Sequence, residues 1–468
     1  MTDRERLLRE LLPKALDTTL QWEASFGPAP EHPALKPDHE RLTHAWAAYT
    51  QRLAGSYPFF HPRFAGQMLK PPHPVAVAAY LAAMIVNPNN HALDGGPATS
   101  EMEKEVVADL AAMFGLPEPS LGHLTSSGTI ANLEALWVAR ELHPGKAIVH
   151  GANAHYTHAR MCEALGVEAH EASADLYGRI DLDAVDALCA AGGVGTVVLT
   201  AGTTGLGAVD HIHEALARRE RHGVRLHVDA AYGGFFTLLA SGDEPAVPAE
   251  PFRAIAACDS VVVDPHKHGL QPYGCGAVLF ADPSVGRLYK HDSPYTYFTS
   301  GDLHLGEISL ECSRAGAAAG ALWLTLQAIP LDAGGLGAIM AAGLRAARDW
   351  AARIRASDAL SLHVEPELDI LAYYPAVEGG REQVSRASQA VLEAGLADSD
   401  DPVVLSTLVV DGDGFAALHP RNGAGEGDVR ILRSVLMKPE HEHYVDTLHE
   451  RVSALAAHAR EHEETMQA

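Results

Sequence analysis

The middle of the chain alternates between helix-like stretches and short apolar runs rich in β-branched residues. In the apolar runs nearly every position is hydrophobic, which is typical of strands buried on both faces of a sheet. Such strands are predicted at residues 146–150, 196–200, 225–229, 260–264 and 276–280. Helices are predicted at residues 75–86, 100–114, 129–142 and 158–165. Strands that alternate with helices predict an α/β fold with a mainly parallel sheet.

The first 75 residues differ from this pattern. Leucines between Leu7 and Leu20 recur at helical spacing among charged residues, which predicts an amphipathic helix over residues 1–25. No neighbouring segment offers this helix a partner, so we expect it to dock on another part of the molecule or on a second subunit. Residues 26–75 are rich in proline and aromatic residues and are expected to form an ordered but irregular arm.

The last part of the chain predicts a smaller α+β unit. A helix is expected at residues 345–356, and a closing helix from about residue 441. The strands between them are predicted at residues 360–364, 370–374, 403–410 and 428–436. The predicted organisation is an N-terminal arm and helix (1–75), a large α/β domain (76–345) and a small C-terminal α+β domain (346–468).

The charge of the chain narrows the classes of partner. Its 35 basic and 60 acidic residues give a formal net charge of −25, whereas surfaces that bind nucleic acids or anionic membranes need clustered lysine and arginine. No apolar run reaches the roughly 18 residues of a membrane span, and the charged start does not resemble a signal peptide. We therefore expect a cytoplasmic protein with no nucleic-acid or membrane partner. The five cysteines lack C-x-x-C spacing, which argues against a zinc site.

Reactive side chains follow the ends of the predicted strands. His155 comes after the first strand and Thr204 after the second, whereas Asp229 closes the third and Lys267 follows the fourth. In an open α/β sheet, ligands bind beyond the carboxyl ends of the strands. These four groups are therefore expected at one edge of the sheet.

This set of side chains predicts a pyridoxal phosphate site. A lysine amine can form a Schiff base with the aldehyde of the cofactor, and a carboxylate can keep the ring nitrogen protonated so that the ring accepts electrons. A histidine can stack on the flat ring. The phosphate needs a helix N-terminus with small and hydroxyl residues. Ser127, Gly128 and Thr129 lead directly into the predicted helix at residues 129–142.

Four sequence blocks strengthen this interpretation. In chain order they are Thr125-Ser126-Ser127-Gly128-Thr129, Ala154-His155-Tyr156, His227-Val228-Asp229-Ala230-Ala231-Tyr232 and Asp264-Pro265-His266-Lys267. In sequence and order they resemble the group II pyridoxal-phosphate-dependent amino acid decarboxylases, over roughly residues 57–330. The resemblance implies a fold-type-I enzyme with a mainly parallel, seven-stranded type of sheet and pyridoxal 5'-phosphate as cofactor. It also implies a homodimer and the α-decarboxylation of an L-amino acid to its amine and CO₂.

The resemblance further implies roles for single residues. Lys267 would bind the cofactor covalently, Asp229 would pair with the ring nitrogen, and His155 would stack on the ring. Ala231 would pack on the opposite face of the ring, and Thr204 would lie near the ring substituents or Asp229. The phosphate would be bound by Ser127, Gly128, Thr129 and His266, and reached by Ser313, beside Arg314, within one subunit or across the dimer interface.

Several points stay open at this stage. The proton donor to Cα is Tyr295, Tyr297 or His155. Arg63 could recognise an acidic substrate side chain, and the aromatic residues between 57 and 64 could recognise an aromatic one. The alternatives to a decarboxylase are another carbon–carbon lyase, with retro-aldol cleavage as in sphingosine-phosphate lyase relatives, and a catalytically idle homologue that binds the cofactor.

Overall fold

Short runs of buried apolar residues form the central sheet of the molecule. The computed structural model describes residues 1–242, 245–290 and 309–467, with side chains as far as residue 460. Within these residues the sheet has seven strands: β1 (Leu121–Thr125), β2 (Ala147–Gly151), β3 (Ala169–Ala172), β4 (Val194–Thr200), β5 (Arg225–Asp229), β6 (Ser260–Val263) and β7 (Gly276–Phe280). Their order is β1-β7-β6-β5-β4-β2-β3. β7 runs antiparallel to β1 and β6, and the other pairs are parallel. The predicted α/β class is confirmed.

Helices cover both faces of this sheet. Up to residue 328 the α-helices of the described chain, whether or not they touch the sheet, are α1 (Asp3–Ala24), α2 (His39–Leu53), α3 (Pro74–Val86), α4 (Pro97–Phe114), α5 (Gly128–Leu142), α6 (Thr157–Leu165), α7 (Leu182–Ala190), α8 (Ile212–His222), α9 (Ala249–Ala254), α10 (Gly286–Tyr289) and α11 (Gly316–Ala328). Val261 and Val263 belong to the largest apolar core, whereas Val262 packs with Ala131 and Ala135 of α5. This alternation places α5 and the main core on opposite faces.

A second sheet lies in the C-terminal part of the chain. Its described strands are β8 (Leu360–Leu362), β9 (Ile370–Pro375), β10 (Ser406–Val410) and β11 (Val429–Val435). They pair antiparallel in the order β10-β11-β9-β8. The accompanying helices are α12 (Leu336–Arg355), α13 (Arg381–Ala397), α14 (Gly412–Leu418) and α15 (Val445–Gln467). None of the helices in the described ranges is both long and apolar enough to cross a lipid bilayer.

The helix α12 takes part in the cores of both sheets. Leu336, Met340 and Leu344 pack into the core beside the central sheet. Ala346 and Trp350 pack into the core of the second sheet, where the Trp350 ring lies 5.4 Å from that of Tyr373. The change from one core to the other therefore falls within a single helix.

The chain before α3 lies against the second sheet. Phe64 forms a parallel bridge with Val404, and the carbonyl oxygen of Phe64 accepts a 2.6 Å hydrogen bond from Lys438 Nζ. Arg63 forms an ion pair of 3.0 Å with Asp401. These contacts fix the later part of the arm, in agreement with the prediction of an ordered segment.

The prediction of an irregular arm is wrong for residues 39–53, which form α2. Its apolar residues Leu42, Trp46, Tyr49 and Leu53 follow helical spacing, and the Asp38 side chain caps the N-terminus by accepting a hydrogen bond from the Arg41 amide. The many prolines and aromatic residues on either side concealed this pattern. All four apolar side chains are about half exposed or more in the single chain.

Two strands of the central sheet were not predicted. β1 contains Gly122 and His123, and the buried His123 is tolerated because its ring pairs with Glu134 at 2.8 Å. β3 has the sequence Ala-His-Glu-Ala and lies at the edge of the sheet, where only its last residue is buried. Neither sequence has the apolar, β-branched character that made the other five strands recognisable.

Candidate active site

The carboxyl ends of the parallel strands surround a cavity of about 240 Å³. Most of the residues predicted for the site line this cavity: Ser127, Gly128, Thr129, His155, Thr204, Asp229, Ala231, His266 and Lys267. They come from five segments, which lie at or directly after the carboxyl ends of β1, β2, β4, β5 and β6. The prediction that these segments meet at one edge therefore agrees with the position of the cavity.

Lys267 lies in the turn after β6, close to a buried acid. Its Nζ atom is 3.0 Å from Asp264 Oδ2, and the Asp264 side chain is almost completely buried. Asp264 Oδ1 has no hydrogen-bond partner within the described residues. The residue before the lysine, His266, donates from Nδ1 to the Cys275 carbonyl oxygen at 2.7 Å, which fixes the turn that carries the lysine.

Asp229 ends the central strand β5 and is held by two donors. Its Oδ1 accepts a 3.1 Å hydrogen bond from the Ala231 amide, and its Oδ2 accepts a 2.9 Å hydrogen bond from His158 Nε2. Burial alone would raise the pKa of Asp229, but the His158 hydrogen bond, the charge of His158 and the charge of Lys267 outweigh it, so the pKa lies well below its usual range. Asp229 therefore remains an anion.

His155 lies in the loop between β2 and α6. Its Nδ1 is 3.3 Å from the Thr157 amide and 2.6 Å from the Thr157 hydroxyl. Because the amide can only donate, Nδ1 is the acceptor and the proton is on Nε2. Burial, opposed in part by Asp229, lowers the pKa of His155, so the ring is neutral. The Tyr156 ring lies 4.3 Å from the His155 ring.

The N-terminus of α5 forms the opposite side of the cavity. Ser127 caps this helix by accepting a hydrogen bond from the Ile130 amide, and the first helical amides together with the helix dipole favour an anion. A Cβ atom on Gly128 would lie only 2.6 Å from Asp264 Oδ2. The absence of a side chain at Gly128 thus lets the Asp264 carboxylate lie directly against the N-terminus of α5.

These features match the chemistry of pyridoxal phosphate. Lys267 supplies an amine for the aldehyde, Asp229 supplies an anion for a protonated ring nitrogen, and the N-terminus of α5 suits a phosphate. The buried Asp264 Oδ1, which lines the cavity and has no partner among the described residues, indicates that the cavity is built around something that the chain itself does not fill. The residues present therefore fit the cofactor.

Three predicted residues are not placed in this cavity. Tyr295 and Tyr297 lie outside the described residues. Ser313 lines a separate cavity of about 170 Å³, together with Ser126 and Glu311. Its hydroxyl accepts a hydrogen bond from Asn89 at 3.3 Å.

Several residues of the site were missed as functional residues, although some belong to the blocks quoted from the sequence. Asn132 is one turn after Gly128 on the same face of α5, which helical spacing could have revealed. Tyr232 lines the cavity and donates a 2.5 Å hydrogen bond to Asp369 of the C-terminal unit. The other cavity residues not assigned a role are Tyr156, Thr157, Thr200, Gly202 and Asp264.

The two features proposed for substrate recognition lie elsewhere. Arg63 is engaged with Asp401 and does not line the cavity. The rings of Phe59 and Phe64 pack on each other at 4.9 Å. In the single chain, Arg63 and the pair Phe59 and Phe64 thus take part in packing of the arm, whereas Tyr57 and Phe60 are exposed, and both hypotheses on substrate recognition stay predictions.

Comparison with known proteins decides the family. The family described as "Pyridoxal-dependent decarboxylase conserved domain" matches residues 48–374. The chain belongs to this family. It is 29% identical over 448 residues to an L-tyrosine decarboxylase of Enterococcus faecium, covering 72% of this chain and 73% of the relative. It is 30% identical over 330 residues to a probable L-tyrosine/L-aspartate decarboxylase of Methanothermobacter thermautotrophicus, covering 70% and 87%.

Solved structures of decarboxylases have the same fold. Oryza sativa TDC with PLP and tryptamine superposes with a TM-score of 0.79 at 18% identity, covering 97% of this chain and 98% of that one. Mouse CSAD gives a TM-score of 0.76 at 21% identity, covering 96% and 99%. The expected fold-type-I architecture is confirmed by these structures. Family membership also confirms pyridoxal 5'-phosphate as the cofactor and amino acid decarboxylation as the activity.

Substitution of Gly128 by alanine should weaken cofactor binding. The new Cβ would collide with the Asp264 carboxylate, so the turn must shift and lose part of its contact with the phosphate. We expect the dissociation constant of pyridoxal phosphate to rise by about tenfold or more, the equivalent of one charge-assisted hydrogen bond. Fluorescence titration of the cofactor-free protein measures this constant.

Gly334→Ala is the matched control, because the nearest atom to its Cβ would be 3.5 Å away. This variant should bind the cofactor as the natural chain does. Unchanged binding by Gly128→Ala would show that the N-terminus of α5 does not hold the phosphate.

Proposed function

We propose that Lys267, Asp229 and His155 carry out the decarboxylation of an L-amino acid, releasing the amine and CO₂. A single observation carries these roles: the Lys267 amine and the anionic Asp229 line one cavity with the N-terminus of α5. When bound, pyridoxal phosphate supplies an aldehyde that combines with amines and a ring that accepts the electrons released with CO₂. The residues of the chain would hold and orient the cofactor and would donate the proton to Cα of the substrate.

Each residue of the cavity has a proposed task. Lys267 binds the aldehyde and gives way to the substrate amine, and Asp229 keeps the ring nitrogen protonated by its negative charge. With the cofactor bound, His155 would cover one face of the ring and Ala231 the other, and Thr204 would lie near the ring substituents or Asp229. The residues proposed to bind phosphate are Ser127, Gly128, Thr129 and His266, with Ser313 reaching it from its own or the partner subunit.

The donor of the proton to Cα is proposed to be Tyr295, Tyr297 or His155. The geometry supports His155 as a donor, because Nδ1 accepts from the Thr157 amide and leaves Nε2–H free to donate. The lowered pKa of His155, caused by burial, keeps this ring neutral. A neutral imidazole is a far weaker acid than an imidazolium, so the geometry favours His155 as the donor whereas its protonation state favours one of the two tyrosines.

The proposed activity can be tested with a panel of the twenty L-amino acids. We expect one amino acid, with L-tyrosine and L-aspartate tested first because of the names of the relatives, to yield its amine and CO₂ in equal amounts. Lys267→Ala should reduce this rate to background, because the amine that binds the aldehyde is lost. Amine is measured by chromatography and CO₂ by a coupled assay.

Lys104→Ala serves as the control, because Lys104 is an exposed lysine on α4. An aldehyde without CO₂ would instead support a carbon–carbon lyase with retro-aldol cleavage. A bound cofactor whose absorbance responds to no amino acid would support the idle homologue.

We further propose that the protein is a homodimer. In the single chain, α1 packs against α3 but leaves Leu20 and Trp22 about half exposed. The helix α2 has no buried residue and exposes Trp46 and Tyr49. Trp22 also lines an apolar groove of about 720 Å³ between α1, α3, α4 and α11. A second copy of the chain would cover this apolar surface.

We also propose the limits of the domains and the location of the protein. Residue 345 is proposed as the limit of the large domain, in agreement with the change of core between Leu344 and Ala346 in α12. The limit at residue 75 lies at the start of α3. The net charge of −25 supports a protein that has neither nucleic-acid nor anionic-membrane partners, and we propose that it is cytoplasmic.

Charged residues on α2 should dissociate the dimer. We expect the double variant Trp46→Glu and Tyr49→Glu to be a monomer in light scattering after gel filtration, because two charges would be buried in the apolar interface. Val409→Glu is the control, since Val409 is an exposed apolar residue of β10. A natural chain with the mass of a monomer would contradict the proposal.

A further inference from the structure

His158 lies behind the acid that is proposed to face the cofactor ring. It is the second residue of α6 and is fully buried. Asp229 lines the cavity, whereas His158 does not. His158 Nε2 is 2.9 Å from Asp229 Oδ2, and because the anionic carboxylate can only accept, Nε2 is the donor. The histidine therefore reaches the cavity only through Asp229.

The surroundings of His158 leave this hydrogen bond as its main polar contact. Its Nδ1 has no hydrogen-bond partner among the described residues. The nearest rings are those of His150 on β2 and His227 on β5, each 6.4 Å from the His158 ring. His227 is engaged with Asn132 through Nε2 and with Ser260 through Nδ1. Burial, with the charge of His158, lowers the pKa of His227 to about 3, so His227 is neutral.

The carboxylate needs this donor because of where it lies. Asp229 is almost completely buried at the end of a central strand, and an ionised carboxylate in such a place is unfavourable unless donors hold it. The Ala231 amide satisfies Oδ1, and His158 satisfies Oδ2. Without His158, one oxygen would lose its partner and the carboxylate could rotate or take up a proton.

We propose that His158 is a positioning residue for the cofactor, which holds Asp229 ionised and oriented toward the ring nitrogen by donating from Nε2 to Oδ2. The inference rests on the proposed role of Asp229. It adds a residue to the site that the sequence blocks do not single out. His158 acts through Asp229 and touches neither substrate nor cofactor.

The test compares two cofactors in the same protein. Pyridoxal phosphate has a ring nitrogen that can pair with Asp229, whereas its 1-deaza analogue has a carbon at that position. The dissociation constant of each is measured by fluorescence titration of the cofactor-free protein, without any amino acid. The ratio of the two constants isolates the interaction with the ring nitrogen, as in a double-mutant cycle.

Two substitutions of His158 form a matched pair. Glutamine can place an N–H group near the position of Nε2, whereas asparagine reaches only the position of Nδ1. We expect His158→Asn to weaken the binding of pyridoxal phosphate by about tenfold, the usual range for a hydrogen bond to a charged group, and to leave the analogue within about twofold. His158→Gln should recover most of the preference for pyridoxal phosphate. His150→Asn, which removes a buried histidine without a contact to Asp229, is the control.

Each outcome of this test supports or overturns the proposed role of His158. If His158→Asn weakened the binding of both cofactors equally, or if the Asn and Gln variants gave the same result, His158 would have a purely structural role. Either result would overturn the inference. An unchanged ratio would overturn it as well. If His158→Asn does not fold, the ratio for His158→Gln against His158→Phe gives the same comparison. Failure to find an amino acid substrate would refute the proposed roles in decarboxylation but would leave this binding ratio unaffected.

Discussion

A carboxylate stays ionised at the buried end of a strand only where hydrogen-bond donors surround it. In this protein the arrangement of the site depends on that condition at Asp229. The acid ends β5, which lies between β4 and β6 in the central sheet. The neighbouring strands therefore deliver their own terminal residues to the same place, with Thr200 from β4 and the turn of Lys267 from β6. A negative charge at this position gives the cavity its polarity.

The distribution of charge in the rest of the cavity complements the negative charge of Asp229. The N-terminus of α5 is positive and suits a phosphate, while Asp229 at the other side suits a cationic ring nitrogen. Lys267 lies between them and is paired with Asp264. A molecule with one anionic end and one cationic end has therefore only one favourable orientation. The chain achieves this orientation with backbone and charge, before any substrate is present.

Sequence reasoning could recover the parts of this design that are local. The strands β2, β4, β5, β6 and β7 are continuous apolar runs, and residues at or after the ends of β2, β4, β5 and β6 line the cavity. The sequence could not reveal β1, because the burial of His123 depends on its partner Glu134 in α5. It could not reveal β3, because a strand at the edge of a sheet needs few apolar residues. Nor could it reveal His158 or Tyr232 as polar partners, since both depend on side chains distant in the chain.

One long helix, α12, has its first half in one core and its second half in the other. At α12, the C-terminal unit is thus joined to the rest of the molecule by a continuous helix and not by a flexible linker. To move this unit away from the central sheet, the chain would have to break helical hydrogen bonds near residue 345 or remove Leu336 and Met340 from the core in which they pack. A displacement of the second sheet would therefore be felt in the core beside the central sheet, where Leu336 and Met340 pack.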